Sequence, residues 1–513
     1  MATRRPHRAP SADARHVHVA IAGSGFGGLG LAIRLLQSGI DDFLVFERAG
    51  DVGGVWRDNT YPGCACDVQS HLYSFSFAPN PDWSRAYSPS AEIWAYLRRC
   101  AADFGVTPHL RFDHEIENAA WDASSQCWVL ETNRGRFTAD VFVAAVGALS
   151  EPKLPALPGL DRFAGKLFHS ARWDHDYALE GRTVAVVGTG ASAIQFVPQI
   201  QPRVGKLHLF QRTPPWIVPR NDFAFSERAK RLMRHVPLVR RLERASLFVK
   251  RELFSIPFLH PVLAPVAERL ALKHLHAQVR DPALRARLTP SYRLGCKRIL
   301  VSDDYLPSLT QPNVEVVSDA ITEVTPTGVI TADGRERPVD AIICGTGFQV
   351  TEMPFGRHVR GKHGQTLDDV WQGSPVAHLG LSVHGFPNFF FLLGPNTGLG
   401  HTSVVLMIEH QLEHILGALR HLRQRGVGAL EPRAQAQAAF VAEVDARMRS
   451  TVWTTGGCSS WYLDRTGRNS TLWPGTTLAF KRRVANFDAH EYEATPAPAP
   501  WVAEQVWLKA VGE

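Results

Sequence analysis

A strand, a glycine-rich turn, a helix and a second strand occur in that order twice in the sequence. A proline-broken helical stretch follows the second copy, and short apolar strands return after it. Together these observations predict an α/β fold of two Rossmann-like dinucleotide-binding domains with a helical insertion. The first copy opens with HVHVAIA (16–22), a β-branched apolar run of the kind buried in a parallel sheet. Gly23-Ser24-Gly25-Phe26-Gly27-Gly28 makes the turn, LGLAIRLLQSG reads as a helix ending at Gly39, and FLVFE (43–47) is the second strand. The second copy has the strand RTVAVVG (182–188), the turn Gly188-Thr189-Gly190-Ala191-Ser192-Ala193, a helix beginning IQFVPQIQ, and the strand KLHLFQR (206–212). Residues 223–288 read as helices divided by Pro237, Pro257, Pro261 and Pro265. A helical lid packed on the second unit is the expectation, with a basic face turned toward a membrane or a partner as the alternative. VEVV (314–317) and AIICGTGF (341–348) are the returning strands.

Composition narrows the function classes. With 20% charged and 45% hydrophobic residues among 513, the chain has the make-up of a soluble globular protein of two or three domains. No apolar run reaches about 18 residues, so no membrane span is expected. The leader MATRRPHRAPSADAR is basic but has no apolar signal core, and residues 1–15 read as a disordered tail. The net charge of +7 is uneven: residues 221–300 hold seventeen Lys/Arg against six Asp/Glu, which leaves the remainder slightly acidic. That distribution speaks against a nucleic-acid-binding protein. Seven scattered cysteines suit a reducing, cytoplasmic compartment better than a disulfide framework, and Cys64-Ala65-Cys66 has no matching second pair for zinc, so no metal is expected.

The glycines of the two turns have distinct tasks. Gly23 permits the tight turn, Gly25 lets backbone approach a pyrophosphate, and Gly28 lets helix and strand pack closely, while the helix N-terminus attracts phosphate. Glu47, nineteen residues past Gly28, ends the second strand, where a carboxylate accepts hydrogen bonds from a ribose diol. The second turn has Gly188, Gly190 and Ala193, and its second strand ends in Arg212 in place of an acid. A guanidinium there binds a 2′-phosphate, which predicts NADPH at the second site and FAD at the first. Two such sites imply electron transfer from a nicotinamide to a flavin. A disulfide reductase would carry a redox pair of cysteines near the flavin. Trp56 stands where the first is often found, and Cys64 and Cys66 are only one residue apart. Oxygen chemistry remains.

FAGKLFHSARWD (163–174) supplies the decisive motif. It matches F-x-G-x-x-x-H-x-x-x-W-[P/D] at Phe163, Gly165, His169, Trp173 and Asp174, and so resembles the fingerprint of Baeyer–Villiger monooxygenases. GGVWRDNTYPGCACD (53–67) resembles the same family's G-G-x-W-x-x-x-x-Y-P-G-x-x-x-D, and the likeness continues through Cys296-Lys297-Arg298, GTGF (345–348) and SSWYLDRTGRN…WPG. Cys344 stands before Gly345-Thr346-Gly347 where the family more often has Ala-Thr-Gly, a small departure.

The resemblance implies an enzyme using NADPH and O2 to convert a ketone into an ester or lactone through a C4a-peroxyflavin. A sulfide is a further possible substrate, and an N- or S-oxygenating flavin monooxygenase is the alternative. It implies Arg298 as the permanent cation beside the reacting oxygen and Asp67 as its paired carboxylate. Phe26, Trp56 and Tyr73 fall in the FAD pocket by motif, and Thr189, Ser192, Gln195, Arg212, Thr213 and Lys297 on the NADPH side. Trp461 resembles a cofactor- or substrate-facing aromatic. His169 and its motif neighbours orient the nicotinamide cofactor instead of moving protons, and GPNTGLGHTS (394–403) lines the flavin edge. The domain plan expected is FAD binding by 16–150 and 330–485, NADPH binding by 151–222 and 289–329, the insertion at 223–288, and a C-terminal extension at 486–513.

Overall fold

The computed structural model describes residues 14–497; the expected tail up to residue 13 and the extension beyond 497 lie outside the described residues. Arg15 already belongs to the first strand, Arg15–Ala22, so ordered structure begins one residue earlier than the apolar run suggests. The first sheet runs in the order Val359–Arg360, Ile116–Asp122, Cys127–Thr132, Gly135–Ala144, Arg15–Ala22, Phe43–Phe46, Leu110–Arg111, with Phe389–Phe391 also on Gly135–Ala144. Its centre is parallel: Ile21 lies opposite Val45 on one side and Val143 on the other. Alternation along the first strand sends Val19 and Ile21 into one core and Ala20 and Ala22 into another, so both faces of the sheet are covered. The helix Phe26–Gln37 closes one face and packs against the long helix Val404–Arg425.

The second sheet is parallel throughout, in the order Val314–Val317, Lys206–Phe210, Thr183–Val187, Ala341–Cys344, Lys166–His169. This corrects the expected boundary at 330: the strand 341–344 completes the second sheet, and the chain returns to the first unit only after it. The segment 321–338 forms a separate three-stranded antiparallel sheet.

The insertion is helical, and Pro237, Pro257 and Pro265 stand in the first turns of Pro237–Leu253, Ile256–Leu259 and Ala264–Gln278. It does not pack on the second unit alone. Leu275 enters the second unit's core, but Leu247 enters the first unit's, and Arg244 donates to the carbonyls of His71 and Leu72. The insertion therefore bridges both units, because its half-buried arginines find acceptors in the loop 66–74. Among the described residues no helix is long and apolar enough to cross a membrane.

One expectation about the cysteines is overturned. Cys296 and Cys458 form a disulfide; Cys64, Cys66, Cys100, Cys127 and Cys344 are free and buried. The paired residues are 162 apart in sequence, so no spacing pattern announces them. Packing of Tyr292, Leu294 and Ile299 against Met448, Trp453 and Tyr462 brings them together.

Candidate functional site

The first glycine turn is built as its residue types require. Gly23 has φ +96°, and a Cβ there would stand 2.7 Å from the carbonyl oxygen of Ala145; one on Gly28 would stand 1.8 Å from that of Gly23. Above Gly25 the space is open, the nearest atom to a Cβ being Gly54 Cα at 3.8 Å, and no side chain caps the helix. Exposed backbone donors at a positive helix end thus face a free approach. Glu47 is buried at the end of the second strand, and its Oε2 accepts from the backbone N–H (3.0 Å) and the hydroxyl (2.6 Å) of Ser24, which ties the carboxylate to the turn. Arg57 lies 3.1 Å from its other oxygen. Phe26, Tyr73 and Trp56 form a chain of edge-on rings at 5.2 and 5.4 Å, and the Trp56 indole donates to the Tyr73 hydroxyl at 3.2 Å.

Arg298 and Asp67 meet across the two units. The Nε and Nη2 of Arg298 donate to one oxygen of Asp67 at 2.8 and 2.7 Å, and Nη1 donates to the Leu399 carbonyl at 3.4 Å. The guanidinium beside Asp67 is held above its ordinary value by that carboxylate, although burial opposes it. Burial pushes Asp67 up, but the charge and hydrogen bonds of Arg298 outweigh it and leave it below the usual carboxylate range. Both therefore stay charged at any working pH.

Sequence reasoning missed the groups that hold this pair. Arg251, on the insertion helix, donates to the Asp67 carbonyl (3.2 Å) and to Gln69 (2.8 Å); Arg220 donates to the Cys66 carbonyl at 3.3 Å. Tyr462 is fully buried near Arg298, its hydroxyl pushed up to about 12 by burial, so it remains protonated. Its neighbour Trp461, the residue singled out by motif, is 45% exposed and packs on the Tyr462 ring at 4.4 Å. His401 lies 3.4 Å from Glu252, whose carboxylate accepts from the Thr477 N–H. Nothing in the sequence separates Arg251 from the basic surface of its helix.

In the second unit Gly188 has φ +104°, and Gly190 has open space beside it, with only the Gly345 carbonyl oxygen at 3.8 Å from a Cβ. Thr189 donates to the Thr213 carbonyl at 3.4 Å, and Ser192 pairs with Ser170 at 3.0 Å. Arg212 is exposed, and neither it nor Lys297 has a carboxylate partner among the described residues. Lys297 sits 5.1 Å over the Tyr292 ring; burial, then the charge of Arg212, lowers its ammonium below the ordinary value. The two cations share one neighbourhood. The Gln195 amide accepts from Tyr61 and the Ala65 N–H and donates to the Ala65 carbonyl, so it clasps the two units together.

The segment 163–174 forms the edge of the second sheet, with His169 opposite Cys344. A Cβ on Gly165 would stand 2.5 Å from the Asp340 carbonyl oxygen, and Phe163 packs into the adjoining core. The buried His169 accepts the Ala171 N–H on Nδ1, which leaves the proton on Nε2, and burial holds the ring neutral. Trp173 packs on Phe168 and Phe196, and Asp174 pairs with Lys166. Among the described residues no cluster of three or more His, Cys, Asp or Glu could hold a metal.

With this geometry in hand, comparison with known proteins is decisive. The model of the flavin-binding monooxygenase-like family matches residues 16–359. The chain belongs to this family. A Baeyer–Villiger monooxygenase of Streptomyces coelicolor is 54% identical over 487 residues, 94% of each chain. One of Pseudomonas aeruginosa is 48% identical over 505 residues, 98% of this chain and 96% of the relative. Among solved structures, cyclohexanone monooxygenase from Rhodococcus sp. Phi1 bound to NADP+ matches with a TM-score of 0.84 at 27% identity, over 94% of this chain and 100% of that one. A flavin-binding monooxygenase needs a dinucleotide cradle, and the open backbone at Gly25 beside the buried Glu47 fits one.

Proposed function

We propose that this flavin-binding monooxygenase uses NADPH and O2 to convert a ketone into an ester or lactone. The first unit would hold FAD through Gly23, Gly25, Gly28 and Glu47, with Phe26, Trp56 and Tyr73 beside the ring system. The second unit would hold NADPH through Gly188, Gly190 and Thr189, with Arg212 and Lys297 on the 2′-phosphate. FAD, once reduced by NADPH, supplies the activation of O2 that amino-acid side chains cannot. The observation that carries the proposal is the Arg298–Asp67 pair. Of the five N–H groups of Arg298, two are engaged by Asp67 and one by Leu399, which leaves two for an anionic oxygen. Asp67, braced by Arg251, keeps the fork oriented, so the half-buried Arg298 presents its positive charge without reorganisation. Tyr462 contributes a protonated hydroxyl to the same corner. His169, neutral and fixed on Ala171, positions the second unit's edge strand instead of taking a proton. NADPH dependence fits a cytoplasmic setting.

The test supplies the FAD-loaded protein with NADPH, O2 and a panel of cyclic ketones and sulfides. Lactone formed in step with NADPH consumption supports the proposal. Sulfoxide with no lactone from any ketone would replace it with an S-oxygenating activity.

A further inference from the structure

The insertion presents a surface that the oxygenation chemistry does not use. Twelve of the seventeen exposed large hydrophobic side chains among the described residues lie between Phe223 and Leu270. On the helix Pro237–Leu253, Leu238, Leu242, Val249 and Leu253 are each more than half exposed. At about 100° per residue these four fall within an arc of about 60°, so they form one outward stripe. The opposite side of that helix is anchored: Leu247 is buried, Arg244 donates to His71 and Leu72, and Arg251 donates to Gln69 and Asp67. The stripe therefore cannot roll inward. Val262 (89% exposed), in the turn Pro261–Leu263, and Val266 and Leu270, on Ala264–Gln278, are exposed apolar side chains of the same insertion.

Cations predominate around this surface. Arg241, Lys250, Arg269 and Lys273 are exposed and have no carboxylate partner among the described residues. Of the acids on these helices, Glu252 accepts from Thr477 and Glu268 is paired with Arg293, while the half-buried Glu243 lies beside Lys250 at one edge of the stripe. A partner that accepts Leu and Val side chains and also neutralises the cations beside them is an anionic lipid surface. A protein interface core is characteristically built on aromatic anchors, whereas Phe223 is the only aromatic in this exposed set.

We propose that the exposed apolar stripe of Pro237–Leu253 docks the enzyme peripherally on anionic bilayers, with the exposed side chains of Ala264–Gln278 contributing. The docked helix is the one whose inner face braces the Asp67 loop through Arg251, so the enzyme would sit on the membrane with its oxygenation site attached to the docking element.

Flotation of the full-length, FAD-loaded protein with vesicles tests this. Vesicles of phosphatidylcholine containing phosphatidylglycerol should capture at least tenfold more protein than phosphatidylcholine alone, and added salt should reverse the difference. The double variant Leu242→Glu/Val249→Glu changes only exposed side chains. It should lower capture at least tenfold with flavin content and NADPH oxidation unchanged. Arg241→Glu/Lys250→Glu should also lower it, by roughly fivefold for each charge removed. Absence of capture by the phosphatidylglycerol vesicles overturns the proposal, as does undiminished capture of the Leu242/Val249 variant. A concentration-dependent dimer in sedimentation, abolished by that variant and accompanied by no vesicle capture, would instead make the face a contact between copies.

Discussion

Arg212→Ala isolates the choice of nicotinamide cofactor. Arg212 and Lys297 lie close enough for the charge of one to depress the other, and neither is neutralised by a carboxylate among the described residues. A dianionic 2′-phosphate bound between them would relieve that repulsion. A hydrogen bond to a charged group contributes about 1.5–3 kcal/mol. Because Arg212 is exposed and screened by solvent, about 2 kcal/mol is the appropriate figure, equivalent to a roughly 30-fold weaker NADPH. NADH has no 2′-phosphate, so its KM should move by less than about twofold on the same reasoning. Lys297 should remain protonated in the variant, since removal of Arg212 lets its ammonium recover toward its ordinary value, and it should retain part of the preference. Lys297→Ala on top of Arg212→Ala should then bring the two cofactors level. The assay is the initial rate of ketone-dependent oxidation of each cofactor across a concentration series. Equal losses for NADPH and NADH would refute the reasoning.

Other outcomes follow from the packing. Cys458→Ser, or reductant on the parent protein, releases the segment carrying Tyr462 from Cys296. Opening a closed loop of that length lowers stability by up to about 5 kcal/mol in the chain-entropy account, and an unchanged melting temperature would contradict the pairing. His71 and His414 are buried and lowered to about 4, chiefly by burial. Their folded values lie below their unfolded ones, so the unfolded chain binds more protons between about pH 4 and 6.5, and stability should fall as pH falls through that window. Each contributes a slope of about 1.4 kcal/mol per pH unit, measurable by denaturant titration. His414→Gln should remove one such share, and a slope equal to the parent's would count against the assignment.

Both glycine turns could be read because their requirements are local. Gly28 must be glycine since a Cβ would strike the Gly23 carbonyl, and the period-two burial of the strand before it follows from alternation along a few residues. Arg298 and Asp67 came from motif resemblance, and their contact, 231 residues apart in sequence, is a product of how the units pack. What escaped sequence reasoning is non-local in the same sense. The Cys296–Cys458 bond has no spacing signature. Arg251 looks like any cation on an amphipathic helix until its inner face is known. The assignment of strand 341–344 to the second sheet depends on a crossover that hydrophobicity does not encode. At Trp461-Tyr462 the motif pointed to the larger ring, whereas the turn places Tyr462 inward near Arg298.

The central claim is that a fixed guanidinium at position 298 directs reduced-flavin chemistry to oxygen insertion. Its most direct measurement is ester or lactone formed per NADPH consumed by Arg298→Ala, with flavin reduction followed in the same protein by loss of its yellow colour. The account predicts that NADPH still bleaches the flavin at near the parent rate while product formation falls by about 10²–10³-fold, the loss expected for an oxyanion-stabilising donor. Product formed in the parent's ratio to NADPH would contradict it.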